Sequence, residues 1–204
     1  MLDRAETQRR ERIVVEEYEG ILPHCEAFYI HSIHYSANRS IAAFVRYRDA
    51  VKNGSSRGLI VASIHESLAH AAALSHFFWP IKKTLVAQTR ANKLRDAFAL
   101  NDESPLKNRQ LRNGLEHFDE RLDDYLIEHA TGNFSPAATI GSHEEADDPE
   151  AKIFKLVDID AHVFVLLGEK YVFSAIIEEV DRVLDRADEM AKSDRLAPQE
   201  ANKA

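Results

Sequence analysis

Apolar residues recur every three or four positions through most of the chain, which is the spacing of amphipathic helices. The clearest stripe lies between Ser56 and Trp79 and comprises Ile60, Ile64, Leu68, Ala71, Leu74 and Phe78. Similar spacing, with Gly, Pro, Ser or Asn at the breaks, predicts further helices over 6–19, 24–51, 84–100, 104–130 and 170–190. The pattern therefore predicts a mostly α protein.

Two short segments near the C-terminal end follow a different pattern. Residues 153–157 and 162–167 are rich in β-branched and aromatic side chains, and a short polar turn separates them. This arrangement predicts a β-hairpin at about 152–167, directly before the last helix. The preceding residues, 131–150, are polar and punctuated by Gly and Pro, and they include an acidic run over 144–150. We expect a loop there.

These elements suggest three parts of the chain. We expect a lead-in helix within residues 1–22, which a break ending at Pro23 separates from the rest. Residues 23–192 are expected to form one helical bundle that includes the hairpin. Residues 193–204 are polar and are expected to form a flexible tail.

The composition is that of an ordinary folded protein, with 45% hydrophobic and 29% charged residues among 204. The single cysteine, Cys25, excludes an internal disulfide and a cysteine-based zinc cluster, and is typical of the reducing cytoplasm. No stretch has the pattern of a signal peptide, and no run reaches the roughly 20 apolar residues that span a bilayer. We expect a cytoplasmic protein without a membrane partner.

The charge is distributed unevenly along the chain. The formal net charge is −8, which disfavours extended, nonspecific binding to nucleic acid. Residues 1–79 are neutral overall, 80–121 carry a net charge of +3, and 122–204 carry −11. The middle segment is therefore compatible with a local cationic cleft on an acidic protein, which suits a few phosphate contacts.

The basic segment contains the residues with the most specific chemistry. In a helix, Asn113 and His117 lie one turn apart on one face, and the long side chain of Arg112 reaches the same face. Histidine transfers protons near neutral pH, and arginine binds phosphate and stabilises developing negative charge. This combination suits RNA cleavage through the 2′-hydroxyl, which needs no metal. The alternative is an ordinary solvated face on which Arg112 pairs with Glu116.

The sequence Arg112-Asn113-x-x-x-His117 resembles the R-x(4–6)-H motif of HEPN domains. The resemblance implies an all-α bundle of four or five helices that dimerises with its motif helices facing each other. It also implies a metal-independent endoribonuclease, in which His117 transfers the proton, Arg112 binds the phosphate and Asn113 orients one of them. The expected fold is thus a HEPN-like helical bundle with a small β-hairpin before the last helix.

The same resemblance implies the partners. We expect RNA, either single-stranded or transfer RNA, as the substrate, a homodimer, and an antitoxin protein in a toxin or defence system. Glu116 and Glu66 are candidates for side chains that support the catalytic groups. We expect no metal, no cofactor and no DNA. The alternative is a noncatalytic HEPN-like helical dimer that binds a protein partner or a nucleotide, and a third reading is a purely structural helical dimer.

Other clusters have a functional and a simpler interpretation. His31 and His34 share a helix face and suit a metal site with His24 or Cys25, although this spacing is common by chance. Glu66 and His70, four residues apart on the predicted helix over 56–79, are a second pair of side chains suited to binding a metal. His65 and Glu66 suit either the motif cleft or a polar helix edge. The aromatic sequence 77–79 suits base stacking or a plug at a helix end, and the second interpretation is simpler.

Overall fold

The computed structural model describes residues 3–196 and contains helices and one four-stranded sheet. The helices are α1 Arg4–Tyr18, α2 Glu26–Lys52, α3 Arg57–Phe78, α4 Leu85–Phe98, α5 Arg109–Glu116, α6 Phe118–Glu128 and α7 Phe173–Ala191. The strands are β1 Asn133–Ile140, β2 Ala151–Asp158, β3 Val163–Leu166 and β4 Glu169–Val172. The expected mostly α class, with a small β element before the last helix, is confirmed.

Short polar side chains start several of the helices. Ser56 accepts a hydrogen bond from the backbone N–H of Leu59 at 3.4 Å, and Thr84 accepts one from Ala87 at 3.4 Å. Such caps satisfy backbone donors that have no partner in the first helical turn. Because these signals are local, the first four predicted helices agree with α1 to α4 to within about two residues at most ends.

The core forms where α2 packs against α3 and α7. A short turn joins α2 to α3, and two buried serines connect the helices in the middle of their contact. Ser40 Oγ donates to the carbonyl oxygen of Ser67 at 2.8 Å, and Ser67 Oγ donates to that of Ser40 at 2.9 Å. Around this pair the core is apolar, and its largest fully buried side chains include Ile30, Ile33, Ile64, Leu68, Leu74, Phe78, Phe164 and Phe173.

The sheet has the strand order β1-β2-β3-β4. The antiparallel pair of β2 and β3 confirms the predicted hairpin at 152–167, with Val157 opposite Phe164. The expected loop over 131–150 is wrong in part, because residues 133–140 form β1 and pair in parallel with β2. A tight turn after β3 adds β4, whose Tyr171 is buried. The last helix therefore begins at Phe173, three residues later than predicted.

The continuous helix predicted over 104–130 is divided. Ser104 does cap a helical turn, but that turn is a 3₁₀ segment, Pro105–Lys107, and Asn108 caps α5. Helix α5 ends at Glu116, and His117 has non-helical dihedral angles, with φ −113° and ψ 45°. The following helix, α6, packs the Phe118 ring edge-to-face on Phe154 of β2 at 5.4 Å. The break at His117 thus separates α5, which packs on α3, from α6, which contacts the sheet.

The C-terminal segment is held against the start of α2 as far as it is described. Arg195 donates to the carbonyl oxygen of Pro23 at 2.7 Å, and the backbone N–H of Leu196 donates to Glu26 at 3.1 Å. The rest of the tail predicted over 193–204 lies outside the described residues, as do residues 1 and 2. No helix in the described part of the chain is long and apolar enough to cross a membrane.

Candidate functional site

Arg112, Asn113 and His117 line one cleft with a volume of about 600 Å³. The cleft lies where the C-terminal end of α3 and the loop after it meet α4 and α5. The structure therefore brings the three motif residues together, as their one-turn spacing predicts. The side chains that share the cleft with them are Trp79, Pro80, Ile81, Lys83, Gln88 and Arg95.

Arg112 forms the floor of this cleft. Its side chain is buried, with 6% of the residue exposed, and Nη1 donates a hydrogen bond to the carbonyl oxygen of Trp79 at 3.0 Å. The carbonyl groups at the end of a helix lack intrahelical partners and carry partial negative charge, so a guanidinium group stabilises them. Arg112 consequently connects α5 to the end of α3, besides placing a positive charge at the cleft.

Arg95 is a second cation that the sequence reasoning missed. Its Nη1 donates to the carbonyl oxygen of Phe78 at 2.6 Å, and its Nη2 donates to Asn92 at 2.6 Å. Its guanidinium lies 5.9 Å from the centre of the Trp79 ring. The positive charge of the segment 80–121 was the only sequence signal for this residue, since only the fold places α4 beside α5.

His117 stands at the rim of the cleft, between α5 and α6. Its side chain is 54% exposed, and its Nδ1 is 3.8 Å from a carboxylate oxygen of Glu120, which is beyond hydrogen-bond distance. Its backbone N–H donates to the carbonyl oxygen of Asn113 at 3.0 Å, so the one-turn relationship between the two residues is kept at the helix end. The imidazole is thus accessible to a ligand in the cleft.

Glu116 contacts α3. It forms an ion pair with His76, four residues before Pro80, and both side chains are about 30% exposed. This pair lies next to the cleft and connects α5 to α3. Its carboxylate is not among the groups that line the cleft.

Glu66 is not brought to the cleft. It lies about 18 Å before Phe78 along α3 at the usual rise per residue. Its carboxylate is 2.7 Å from Arg46 and 3.5 Å from Arg39 of α2, and 3.8 Å from His70. The hydrogen bond from Arg46 holds the pKa of Glu66 below its ordinary value. The structure thus places Glu66 opposite α2 and away from the motif cleft, which the spacing on α3 alone does not reveal.

His65 is placed in a different cluster, between α3 and the sheet. Burial lowers its pKa to about 4, and the charge of Lys155 adds to the effect. Lys155 Nζ lies 3.4 Å from His65 Nδ1, and 4.8 Å from the ring centres of both Phe118 and Phe154. Burial lowers the pKa of Lys155 as well. His65 is therefore neutral at physiological pH and accepts a hydrogen bond from the ammonium group.

The histidines of the proposed metal site contact separate carboxylates. His31 Nε2 is 2.9 Å from Asp194, and His34 Nε2 is 2.9 Å from Asp188 of α7. Within the described part of the chain, neither His24 nor Cys25 contacts a carboxylate in this way. Within residues 3–196, no three side chains of His, Cys, Asp or Glu are grouped as metal ligands. The two histidines serve instead to connect α2 with the C-terminal part of the chain.

The aromatic cluster at the end of α3 packs into the core at the helix end, which agrees with the simpler of the two interpretations of residues 77–79. Phe78 is fully buried and packs edge-to-face on Phe98 at 5.4 Å. Trp79 is 6% exposed, and its Nε1 donates to Asp102 at 3.2 Å. These two rings are therefore not available for stacking on bases. Phe77 is partly buried and faces the surface on the other side of Pro80.

The acidic run after β1 packs on the sheet. Asp147 forms an ion pair with Lys170 of β4 at 2.6 Å, and His143 contacts Asp158 of β2 at 2.7 Å. Hydrogen bonds from the backbone of Ala161 and from His143 lower the pKa of Asp158 to about 2. Asp147 is thus engaged at the sheet, and none of the carboxylates of this run lines the motif cleft.

Comparisons with known proteins leave the geometry as the basis for assigning a function. No protein-family model, no curated protein and no solved structure matches the chain.

Proposed function

We propose that the chain is a HEPN-like, metal-independent endoribonuclease that cleaves RNA through attack by the 2′-hydroxyl. One observation carries the proposal: Arg112, Asn113 and His117 line the same cleft, together with the cations Lys83 and Arg95. The described residues that line this cleft include no carboxylate. Such a site favours an anionic ligand, and a phosphodiester is the anion for which the histidine has a chemical use.

The cleavage step assigns one task to each motif residue. His117 removes the proton of the 2′-hydroxyl, and the resulting oxygen forms a bond to phosphorus while the bond to the 5′ oxygen breaks. The departing oxygen takes up a proton from a protonated histidine, so the products are a 2′,3′-cyclic phosphate and a 5′-hydroxyl. Arg112 stabilises the negative charge that accumulates on the phosphate oxygens, and Asn113 orients the imidazole or the phosphate.

A homodimer is part of this proposal. Two copies that face each other through their motif residues would place two imidazoles at one cleavage site, one as the base and the other as the acid. A single copy would then be inactive. The half-exposed position of His117 at the rim supports this arrangement, because the ring can reach a group outside its own chain.

The biological setting that we propose is a cytoplasmic toxin or defence effector, restrained by an antitoxin protein. A test is the growth of cells after induced expression of the wild type, of His117→Ala and of His24→Ala. His24 is exposed and lies outside the cleft, so it is a matched control. We expect the wild type and His24→Ala to arrest growth and His117→Ala to leave it unchanged. Equal growth of all three would argue against the toxin role.

A noncatalytic helical dimer that binds a protein partner or a nucleotide is the second candidate. The observation that favours it is the burial of Arg112, which is 6% exposed and hydrogen-bonded to Trp79. A guanidinium group used in this way holds the fold together, and such a role requires no chemistry. In this case Lys83 and Arg95 would bind an anionic group that is not cleaved.

One experiment separates the two candidates. Purified wild type, His117→Ala and His24→Ala are incubated with total RNA in the presence of EDTA, and the products are analysed for 2′,3′-cyclic phosphate ends. We expect fragments with these ends from the wild type and from His24→Ala, and intact RNA with His117→Ala. Intact RNA with all three proteins, or equal cleavage by all three, would contradict the nuclease proposal.

A further inference from the structure

The motif cleft continues into two further concave surfaces. Its neighbour, lined by His76, Phe77, Lys82, Ala87 and Arg90, shares Pro80 and Ile81 with it. That surface in turn shares Phe77 with a third, which lies along α2 and is lined by Phe28, His31, Ser32 and Tyr35. The three volumes are about 600, 420 and 520 Å³. The three surfaces adjoin one another through these shared residues and extend from α2 to the motif; they are here together called the α2 groove.

The far end of the α2 groove presents two aromatic rings to solvent. Phe28 is 73% exposed and Tyr35 is 65% exposed, which is unusual for side chains of this size. They are seven residues apart on α2, so they share one face and lie about 10 Å apart along the helix. Flat rings on a rigid helix are suitable platforms for unpaired bases, and stacking tolerates any base because each has a π-face.

The middle of the α2 groove is cationic. Lys82 and Arg90 line it, and within residues 3–196 neither forms an ion pair with a carboxylate. The guanidinium of Arg90 lies 5.6 Å from the centre of the Tyr29 ring, which fixes its position. Asp194 lines the aromatic end of the groove, where it contacts His31, and Glu116 contacts His76; neither carboxylate lines the middle surface. The groove therefore has an excess of positive charge between its aromatic end and the motif.

We propose that the α2 groove binds single-stranded RNA, with two bases stacked on Phe28 and Tyr35 and the connecting phosphates held by Lys82 and Arg90. This inference rests on the proposed nuclease function and adds the surface that binds the substrate strand outside the motif cleft. A duplex is excluded because its bases are stacked on each other and cannot reach the rings. A protein partner would match the apolar rings but not the excess of cations, which calls for a polyanion.

Binding is tested separately from cleavage. All proteins carry His117→Ala, so that bound RNA stays intact, and the anisotropy of a short fluorescein-labelled oligouridylate reports the Kd. We expect the double variant Phe28→Ala/Tyr35→Ala to bind on the order of a hundredfold more weakly, about tenfold for each ring. Phe134→Ala, which removes a half-exposed ring from β1 outside the groove, is the matched control and should bind normally. A duplex of the same length should bind weakly to every variant.

The dependence on salt provides a second measurement. Lys82→Ala should reduce the slope of log Kd against log salt concentration by about 0.7, the value for one phosphate contact to a single strand. Unchanged affinity of the double variant, or an equal loss in Phe134→Ala, would overturn the proposal. So would a change of oligomeric state in the double variant without a change in affinity, which would make the rings a subunit interface. Normal binding without cleavage by the wild type would contradict only the nuclease function.

Discussion

Arg112 Nη1 and the carbonyl oxygen of Trp79 are joined by a 3.0 Å hydrogen bond at the floor of the motif cleft. The bond connects a residue with a proposed role in phosphate binding to Trp79, the residue that follows α3. Arg112 therefore serves both the fold and the site, whereas His117, half-exposed at the rim, belongs to the site alone. Substitutions of the two residues should have different effects on stability.

Arg112→Ala should lower the free energy of unfolding by about 2 to 3 kcal/mol, because it leaves the buried Trp79 carbonyl group without its charged donor. His117→Ala should change it by no more than about 0.5 kcal/mol, since the ring is exposed. Urea denaturation followed by circular dichroism measures both. Arg112→Lys should fall between them, because lysine keeps the charge but not the planar geometry. Equal stability of Arg112→Ala and the wild type would contradict the structural role.

His65 should make the stability depend on pH. Its pKa is about 4 in the folded chain against an ordinary value of 6.5, so the unfolded chain binds the proton first as the pH falls. Stability should therefore decrease as the pH is lowered from 6.5 to about 4, by at most about 3 kcal/mol, with no contribution above 6.5. His65→Gln, which does not titrate, should flatten this part of the curve in urea unfolding. The exposed control His24→Gln should retain the wild-type slope.

Gly114 gives α5 a close approach to the sheet. A Cβ atom there would lie 3.4 Å from Leu166 Cδ2 and 3.6 Å from Tyr171 Oη, which is ordinary contact distance. Gly114→Ala should therefore leave the melting temperature unchanged or raise it, since alanine favours a helix by about 1 kcal/mol. Gly114→Leu should lower stability by about 1 to 3 kcal/mol through overpacking. If both variants unfold at the wild-type temperature, α5 does not pack as described.

Gly20 and Gly54 provide a matched pair, because both have positive φ angles, of 85° and 60°. A Cβ atom at Gly20 would lie 2.3 Å from the backbone nitrogen of Arg90, while one at Gly54 would meet nothing within 4 Å. We expect Gly54→Ala to cost about 1 kcal/mol, for the backbone conformation alone. Gly20→Ala should cost clearly more, since the backbones of two segments must separate. If the two variants lose the same amount of stability in differential scanning calorimetry, the backbone at Gly20 can move away from α4 at little cost, which would contradict the prediction.

The sequence predicted those features that depend on neighbouring residues. The starts of α3 and α4 follow from Ser56 and Thr84, and the β2–β3 hairpin follows from a local change of period. Strand β1 was missed because it has few β-branched residues and includes Pro136, and because its pairing with β2 is a long-range contact. The end of α5 at Glu116 was also missed, because Gly114 is the only local residue that weakens the helical pattern there.

The candidate site likewise contains residues that the local sequence predicts and residues that only the fold brings together. Arg112, Asn113 and His117 reach one cleft because four residues make about one helical turn, a relationship that the chain alone determines. Arg95 and Lys83 come from a different part of the chain and could only be inferred as an excess of basic residues. The misplacement of Glu66 has the same cause, because a helix face can be read from the sequence but not the helix that covers it.

The reciprocal hydrogen bonds of Ser40 and Ser67 fix the axial position of α2 relative to α3. A slide of either helix by a single turn would break both bonds and separate the two buried hydroxyl groups from these acceptors. The carbonyl groups that Arg95 and Arg112 bind lie about 18 Å further along α3, at its end. Since a rigid helix transmits an axial shift along its whole length, these two serines determine where the floor of the cleft lies relative to the aromatic rings of α2.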